Sequence, residues 1–249
     1  RRVLQSNGGL PDGSVVCFAN TGKEEEATLR FVQRCADEWD IPITWLEFED
    51  TDTGFRTVDF DTASRRGEPF EAIIQASGFL TQVVARFCTV EMKIRTAQRY
   101  LKSLGWDHWT SSIGLRADEP ARVARLRGTN RHNNEEPDAP LARAGFALDD
   151  VRRFWESQPF DLALESYQGN CDLCFLKGRG KIQRVMRESP ELAQWWIYQE
   201  NAIRSSKSAR NASFRADRPR YEHLLKQVQE QPLLPFPDDE PMIDCFCGE

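Results

Sequence analysis

The apolar positions of this chain fall first into runs and then into stripes. Ser14-Val15-Val16-Cys17-Phe18-Ala19-Asn20 is a near-continuous apolar run of strand length. A run without alternation is the pattern of a strand buried on both faces, as in a parallel sheet. Leu29, Val32, Ala36 and Trp39 follow at spacings of three and four, which predicts a helix over 23–39 with one apolar face. Ile41-Pro42-Ile43-Thr44-Trp45-Leu46-Glu47-Phe48 predicts a second strand. Strand, turn, helix and strand in that order form a βαβ unit, whose crossover should be right-handed.

Residues 51–67 are polar and read as a loop, and 69–87 hold helical stretches. The stretch 89–104 reads as a helix whose Lys93, Arg95, Arg99 and Lys102 leave Ile94, Ala97 and Leu101 to pack. His108 to Leu115 predicts a third strand, and 128–140 a charged, Asn-rich loop. Asp149 is the candidate N-cap of a helix that opens near Leu148. Residues 181–188 predict a helix, and Ser189-Pro190-Glu191 opens another that carries Trp195 and Trp196 into a core. A basic loop over 205–220 precedes a last helix over 221–229. Pro232-Leu233-Leu234-Pro235-Phe236-Pro237 cannot be helix interior and introduces an extended tail. At the other end Arg1 to Gln5 reads as the tail of a helix closed by Ser6-Asn7-Gly8-Gly9, so an element is expected to begin upstream. The expected fold class is α/β. A Rossmann-like, open, mostly parallel sheet with flanking helices occupies 1–160, and a helical, cysteine-containing region with an extended tail occupies 161–249.

Composition narrows the setting. Seven cysteines in 249 residues is an odd number and a low density for a secreted disulfide scaffold, so reduced thiols and a cytoplasmic location are expected. No apolar run approaches the roughly 20 residues of a membrane span, and the first residues are no signal peptide. The net charge of −6 counts against a generally basic nucleic-acid binder. Local basic runs remain at Arg116, Arg122, Arg125, Arg127 and Arg131, and from Arg204 to Arg220.

The candidate chemistry begins at Gly169-Asn170-Cys171-Asp172-Leu173-Cys174-Phe175-Leu176-Lys177-Gly178. Two cysteines with two residues between them, in a stretch bounded by glycines, can aim both sulfurs at one ion or cluster. Cys88, Cys245 and Cys247 could join them; the alternative is that all are buried cysteines that pack as small hydrophobes. Cys17 and Cys35 read as core. Asn20-Thr21-Gly22 ends the first strand, where open α/β sheets bind ligands, unless it is an ordinary turn. Gly114-Leu115-Arg116-Ala117-Asp118-Glu119-Pro120-Ala121-Arg122 ends the third strand. Arg116 and Arg122 could grip an anion there, or pair with Asp118 and Glu119. His108, His132 and His223 share no ligand or triad spacing and read as packed or exposed.

The order of these motifs resembles the phosphoadenosine phosphosulfate (PAPS) reductase family, within the adenine nucleotide alpha-hydrolase, or ATP-pyrophosphatase, superfamily. The resemblance rests on Asn20-Thr21-Gly22, Phe87-Cys88-Thr89 with Lys93, Gly114-x-Arg116-x-x-Glu119-x-x-Arg122 and Leu148-Asp149-Asp150-Val151, and covers the chain to about residue 178. It implies a glycine-rich phosphate loop just upstream of Arg1. It also implies an adenine nucleotide, ATP or APS/PAPS, near Asn20, Thr21, Gly22, Lys93 and Gly114, with Arg116 and Arg122 on phosphate or sulfate. The family's Asp-Thr-Gly is Asn20-Thr21-Gly22 here, Pro120 replaces a usual Ser, and the tail reads Cys245-Phe246-Cys247-Gly248-Glu249 in place of Glu-Cys-Gly-x-His. Cluster-bearing members imply a 4Fe-4S cluster on Cys88, Cys171, Cys174 and one tail cysteine, assigned here to Cys245, with Cys247 as the catalytic thiol beside Arg116. Zinc on the same sulfurs is the alternative. Two reactions fit the family: release of sulfite from a sulfonucleotide by thiol attack, and adenylation of an acceptor followed by sulfur insertion. Expected partners are a sulfur donor or thiol reductant protein, with room for a nucleic-acid acceptor, in a homo-oligomer. The rival reading is a non-catalytic, zinc-stabilised protein that uses the 204–220 loop to bind a partner.

Overall fold

The computed structural model describes residues 2–129, 134–169, 171–205 and 212–231. Cys245, Cys247, His132 and the proline-rich segment 232–237 lie outside them. The chain opens with α1 (Arg2–Asn7), β1 (Val16–Asn20), α2 (Glu26–Trp39) and β2 (Ile43–Glu47). β1 and β2 pair in parallel with Val16 opposite Ile43 and Asn20 opposite Glu47, so the first βαβ unit forms as the periodicity predicts. β3 (Arg56–Val58) then pairs antiparallel to β2. It lies inside the stretch read as loop, because a short polar edge strand has no apolar alternation to betray it.

Next come α3 (Glu68–Ser77), a single turn α4 (Phe87–Thr89), a π-helical stretch (Val90–Arg95) and α5 (Thr96–Ser103). The expected continuous helix over 89–104 is thus widened in its middle. The Thr96 hydroxyl donates to the Glu91 carbonyl five residues back (2.8 Å), which holds the wider turn. A wider turn rotates the apolar face: Met92 is fully buried, while Ile94, expected to pack, is 44% exposed.

β4 (Trp109–Ser112), α6 (Pro120–Thr129) and β5 (Glu135–Asp138) give a second parallel pair, with Trp109 opposite Glu135. β4 is the expected third strand. β5 falls in the segment read as loop, since Glu135-Glu136-Pro137-Asp138 carries no strand pattern and its proline is tolerated only at a sheet edge. Among the described residues the strands form a three-stranded sheet ordered β1-β2-β3 and a two-stranded sheet β4-β5, a mixed α/β architecture. Burial along β1 is partial, and Cys17, expected in the core, is exposed.

Short α7 (Pro140–Arg143) leads to α8 (Leu148–Glu156). Its N-cap is Ala147, not Asp149; Asp150, three residues on, reaches back with its carboxylate to accept from the Ala147 N–H (2.8 Å). The chain then forms α9 (Arg179–Glu188), a 3-10 turn (Pro190–Leu192), α10 (Ala193–Ser205) and α11 (Tyr221–Glu230). The main apolar cluster joins Phe48, Phe70, Ile74, Leu80 and Met92 to Leu173, Phe175, Met186, Trp196, Phe214 and Tyr221. A smaller one centres on Leu29, Trp45 and Ala63 behind the first sheet. The cysteine turn at 171–178 therefore folds into a core that elements from both halves of the sequence build. Trp196 stacks on Tyr221 in this core, as its helical spacing predicts. No helix of the described residues is long and apolar enough to cross a membrane.

Candidate functional site

β1 delivers Asn20, Thr21, Gly22 and Lys23 to its carboxyl end, and Gly22 turns the chain there with φ +76°. A Cβ at Gly22 would stand 3.0 Å from the Gly67 nitrogen, so the turn is also packed against the entrance to α3. Glu24 closes it from within. Its Oε2 accepts from the Thr21 N–H and the Thr21 hydroxyl, each at 2.8 Å, and its Oε1 faces the Lys93 ammonium at 3.5 Å. Glu24 thus links Thr21 to Lys93.

The cysteine turn docks on this strand-end turn. Glu24 and Cys171 form an antiparallel backbone bridge, and the Asp172 N–H donates to the Lys23 carbonyl (2.8 Å). The Thr21 hydroxyl lies 3.5 Å from the Cys171 sulfur, 150 residues away in sequence. Lys23 and Asp172 form an ion pair at 2.7 Å, both side chains about 6% exposed. A buried pair of this kind persists only when further hydrogen bonds satisfy it. Here the other Asp172 oxygen accepts from the Trp196 indole (2.9 Å) and the Leu173 N–H, while Trp195 lies beneath the Lys23 ammonium.

Lys177 adds a second buried cation. It is 1% exposed and donates to the Asp172 carbonyl (2.7 Å). Burial pulls its pKa below the usual lysine value, against the opposing pull of Cys174, Glu25, Asp172 and Cys171. Burial likewise pushes the Glu25 carboxyl up, with Lys177 working the other way. The basic segment that follows α10 turns inward onto this turn. Arg218 donates to the carbonyls of Lys177 (2.8 Å) and Phe175 (2.9 Å), and Arg215 to that of Phe175 (3.4 Å). Two arginines of the expected basic loop therefore serve the cysteine turn.

Cys171, Cys174 and Cys88 belong to or pack against the same apolar cluster. The Thr81 hydroxyl donates to the Cys88 sulfur at 3.5 Å. Among the described residues no group of three or more His, Cys, Asp or Glu side chains is placed to hold a metal ion. One turn carries two of the thiols, and the third packs against the same cluster. Cys245 and Cys247 lie outside the described residues.

The second strand-end loop is closed on itself. Arg116 pairs with Asp118 (3.0 Å) and Glu119 (3.6 Å), Arg122 pairs with Glu119, and Glu119 also accepts from the Arg116 N–H (2.9 Å). The intraloop pairing left open by the sequence is the one the structure adopts. Asp118 further accepts from Leu148 N–H (3.2 Å), which ties Gly114–Arg122 to the start of α8. Sequence reasoning assigned no individual role to Glu25, Glu47, Asp172 or Lys177. Asp172 lies between the paired cysteines and Lys177 three residues after them, and both could have been flagged by that position; Glu47 carries no local signature.

The chain is similar to the uncharacterized nin region protein ORF290 of Escherichia phage lambda, with 32% identity over 184 residues. The match covers 70% of this chain and 60% of that protein, so it spans less than two thirds of the relative's length. No protein-family model matches the chain. No solved structure matches it significantly.

Proposed function

We propose that this chain is a PAPS reductase-like enzyme of the adenine nucleotide alpha-hydrolase superfamily. It acts on ATP or APS/PAPS at the α-phosphate or its sulfate, beside a sulfur-handling thiol centre, in the cytoplasm. The observation that supports this most is the backbone bridge from Glu24 to Cys171, with the Lys23–Asp172 pair beside it. It sets the turn expected to hold a nucleotide against the turn expected to hold a cluster. The reading takes the β1-β2 and β4-β5 pairs as parts of one Rossmann-like sheet, with its ligand outside the strand ends.

In this reading the backbone of Thr21 and Gly22 and the ammonium of Lys93 line the nucleotide. Arg116 and Arg122 reach an anion only if it displaces Asp118 and Glu119, so the phosphate or sulfate must bind them better than those carboxylates do. Cys88, Cys171, Cys174 and Cys245 would hold a 4Fe-4S cluster, which when bound supplies a redox-capable, thiolate-ligated centre; zinc there would be structural. Cys247 remains the proposed catalytic thiol. The rival partner-binding reading loses surface, because Arg215 and Arg218 point at carbonyls of the cysteine turn.

The test is anaerobic purification with iron, zinc and sulfide counts and an absorbance spectrum, repeated on Cys171→Ala, together with calorimetric titration of ATP, APS and PAPS. Iron and sulfide that vanish in the variant, with one nucleotide bound, are expected. Zinc alone removes the cluster from the reading; no nucleotide binding removes the enzyme.

A further inference from the structure

Asn20, Glu47 and Arg56 sit side by side on one rung of the first sheet, in register across β1, β2 and β3 at the carboxyl edge. Glu47 is fully buried. Its Oε1 accepts from the Asn20 amide (2.6 Å) and the Ser64 N–H (2.6 Å). Its Oε2 accepts from the Ser64 hydroxyl (2.8 Å) and from Arg56 Nε (3.0 Å) and its terminal nitrogen (2.6 Å). A buried carboxylate is tolerated only with this kind of saturation. The Asn20 amide nitrogen also donates to the Ser64 carbonyl (2.8 Å), and its oxygen accepts from the Gly22 N–H (3.1 Å). Every hydrogen-bonding atom of the Asn20 side chain is thereby engaged with protein.

We infer that Glu47 is the positioning residue of the strand-end turn and that it requires an amide at position 20. Asn20 is then not a ligand-binding side chain. It transmits the fixed position of Glu47 to the Gly22 N–H, and so aims the backbone of Thr21 and Gly22. A carboxylate at position 20 would meet Glu47 at hydrogen-bond distance, where two like charges cannot both ionise. The charged groups that face position 20 are Glu47 from β2 and Arg56 from β3. Lys23 and Glu24 of its own turn are engaged with Asp172, and with Thr21 and Lys93. Arg56 already serves Glu47 and is partly exposed, so it cannot neutralise a second buried carboxylate. The substitution Asn20→Asp should therefore bind a proton to keep the turn; that proton takes the place of the amide hydrogen given to Glu47, while the donor to the Ser64 carbonyl is lost.

The sign follows. The new carboxyl is held above its unfolded value of about 4, so folding stability falls as pH rises through its folded pKa. The inference rests on the proposed nucleotide site for its affinity readout only. The experiment compares wild type, Asn20→Asp and Glu47→Gln at pH 5 and pH 8, by thermal unfolding and by titration with ATP, APS and PAPS. Asn20→Asp should lie nearer to wild type at pH 5 than at pH 8, short of it even there by the lost donor to the Ser64 carbonyl, and at pH 8 show a further fall in melting midpoint and about tenfold or greater loss of nucleotide affinity. Glu47→Gln, with no carboxyl pair, should lose stability by a similar amount at both pH values. A flat pH profile for Asn20→Asp, or wild-type behaviour of both variants, overturns the inference. If wild type binds no nucleotide, the proposed function fails while the unfolding profile still decides the role of Glu47.

Discussion

Two loops leave the carboxyl ends of two parallel strands in this protein, and they dispose of their charges in opposite ways. After β1, Lys23 reaches across to Asp172 and Glu24 stands between Thr21 and Lys93, so the turn is held by residues far along the chain. After β4, Arg116 and Arg122 both turn to Asp118 and Glu119 of their own loop. The first loop is part of the core and links two candidate sites. The second is nearly self-sufficient. Position at a strand end therefore does not by itself make a site; what matters is whether the charges there are answered locally or from elsewhere.

The comparison breaks most visibly at Asp172. Asp172→Ala leaves Lys23 buried without its counter-charge, and a broken buried pair costs about 3–5 kcal/mol. Urea denaturation should show that loss, and a change under about 1 kcal/mol would mean that the two turns are not held together by this pair. Arg218→Ala comes next. It removes donors from the carbonyls of Phe175 and Lys177, which should cost about 1.5–3 kcal/mol and speed the reaction of Cys171 and Cys174 with a thiol reagent. Unchanged thiol kinetics would show that the cysteine turn keeps its shape without the arginine.

A smaller effect sharpens the electrostatics. Burial holds the Glu25 carboxyl above the usual carboxylate range, so its ionised form is the disfavoured one when folded. Glu25→Gln should match wild type in stability below about pH 4 and become the more stable of the two as pH rises. Stability curves that run parallel across that range would show that Lys177 compensates the carboxylate fully. The smallest effect is expected at the second loop. Arg116→Ala breaks pairs that are local and partly exposed, and should cost no more than about 1 kcal/mol in thermal unfolding. A loss like that of Asp172→Ala would erase the distinction between the two loops.

Legibility followed the same division. The helix over 26–39 and the strands on either side of it could be read because each buries one regular set of positions, and that regularity is written in consecutive residues. The π-helical stretch could not, since a hydroxyl five residues along sets the turn width and moves Met92 inward in place of Ile94. β3 and β5 were hidden by their polar, edge-strand composition. The candidate residues Thr21, Gly22 and Lys93 were visible as a neighbourhood, and in the structure Glu24 links Thr21 to Lys93. Asn20 was visible too, but the partner that its side chain meets in the structure, Glu47, was not.

The sequence by itself determined the βαβ unit, the turn at Gly22 and the paired cysteines, because these depend on local periodicity and on the conformational freedom of single residues. Only the tertiary structure decided that Cys171 lies on Thr21, that Asp172 answers Lys23, that Arg218 faces inward and that Glu47 holds Asn20. Those choices are made by burial. A charge taken out of water must find its partner wherever packing brings one, and no spacing along the chain records which one that will be.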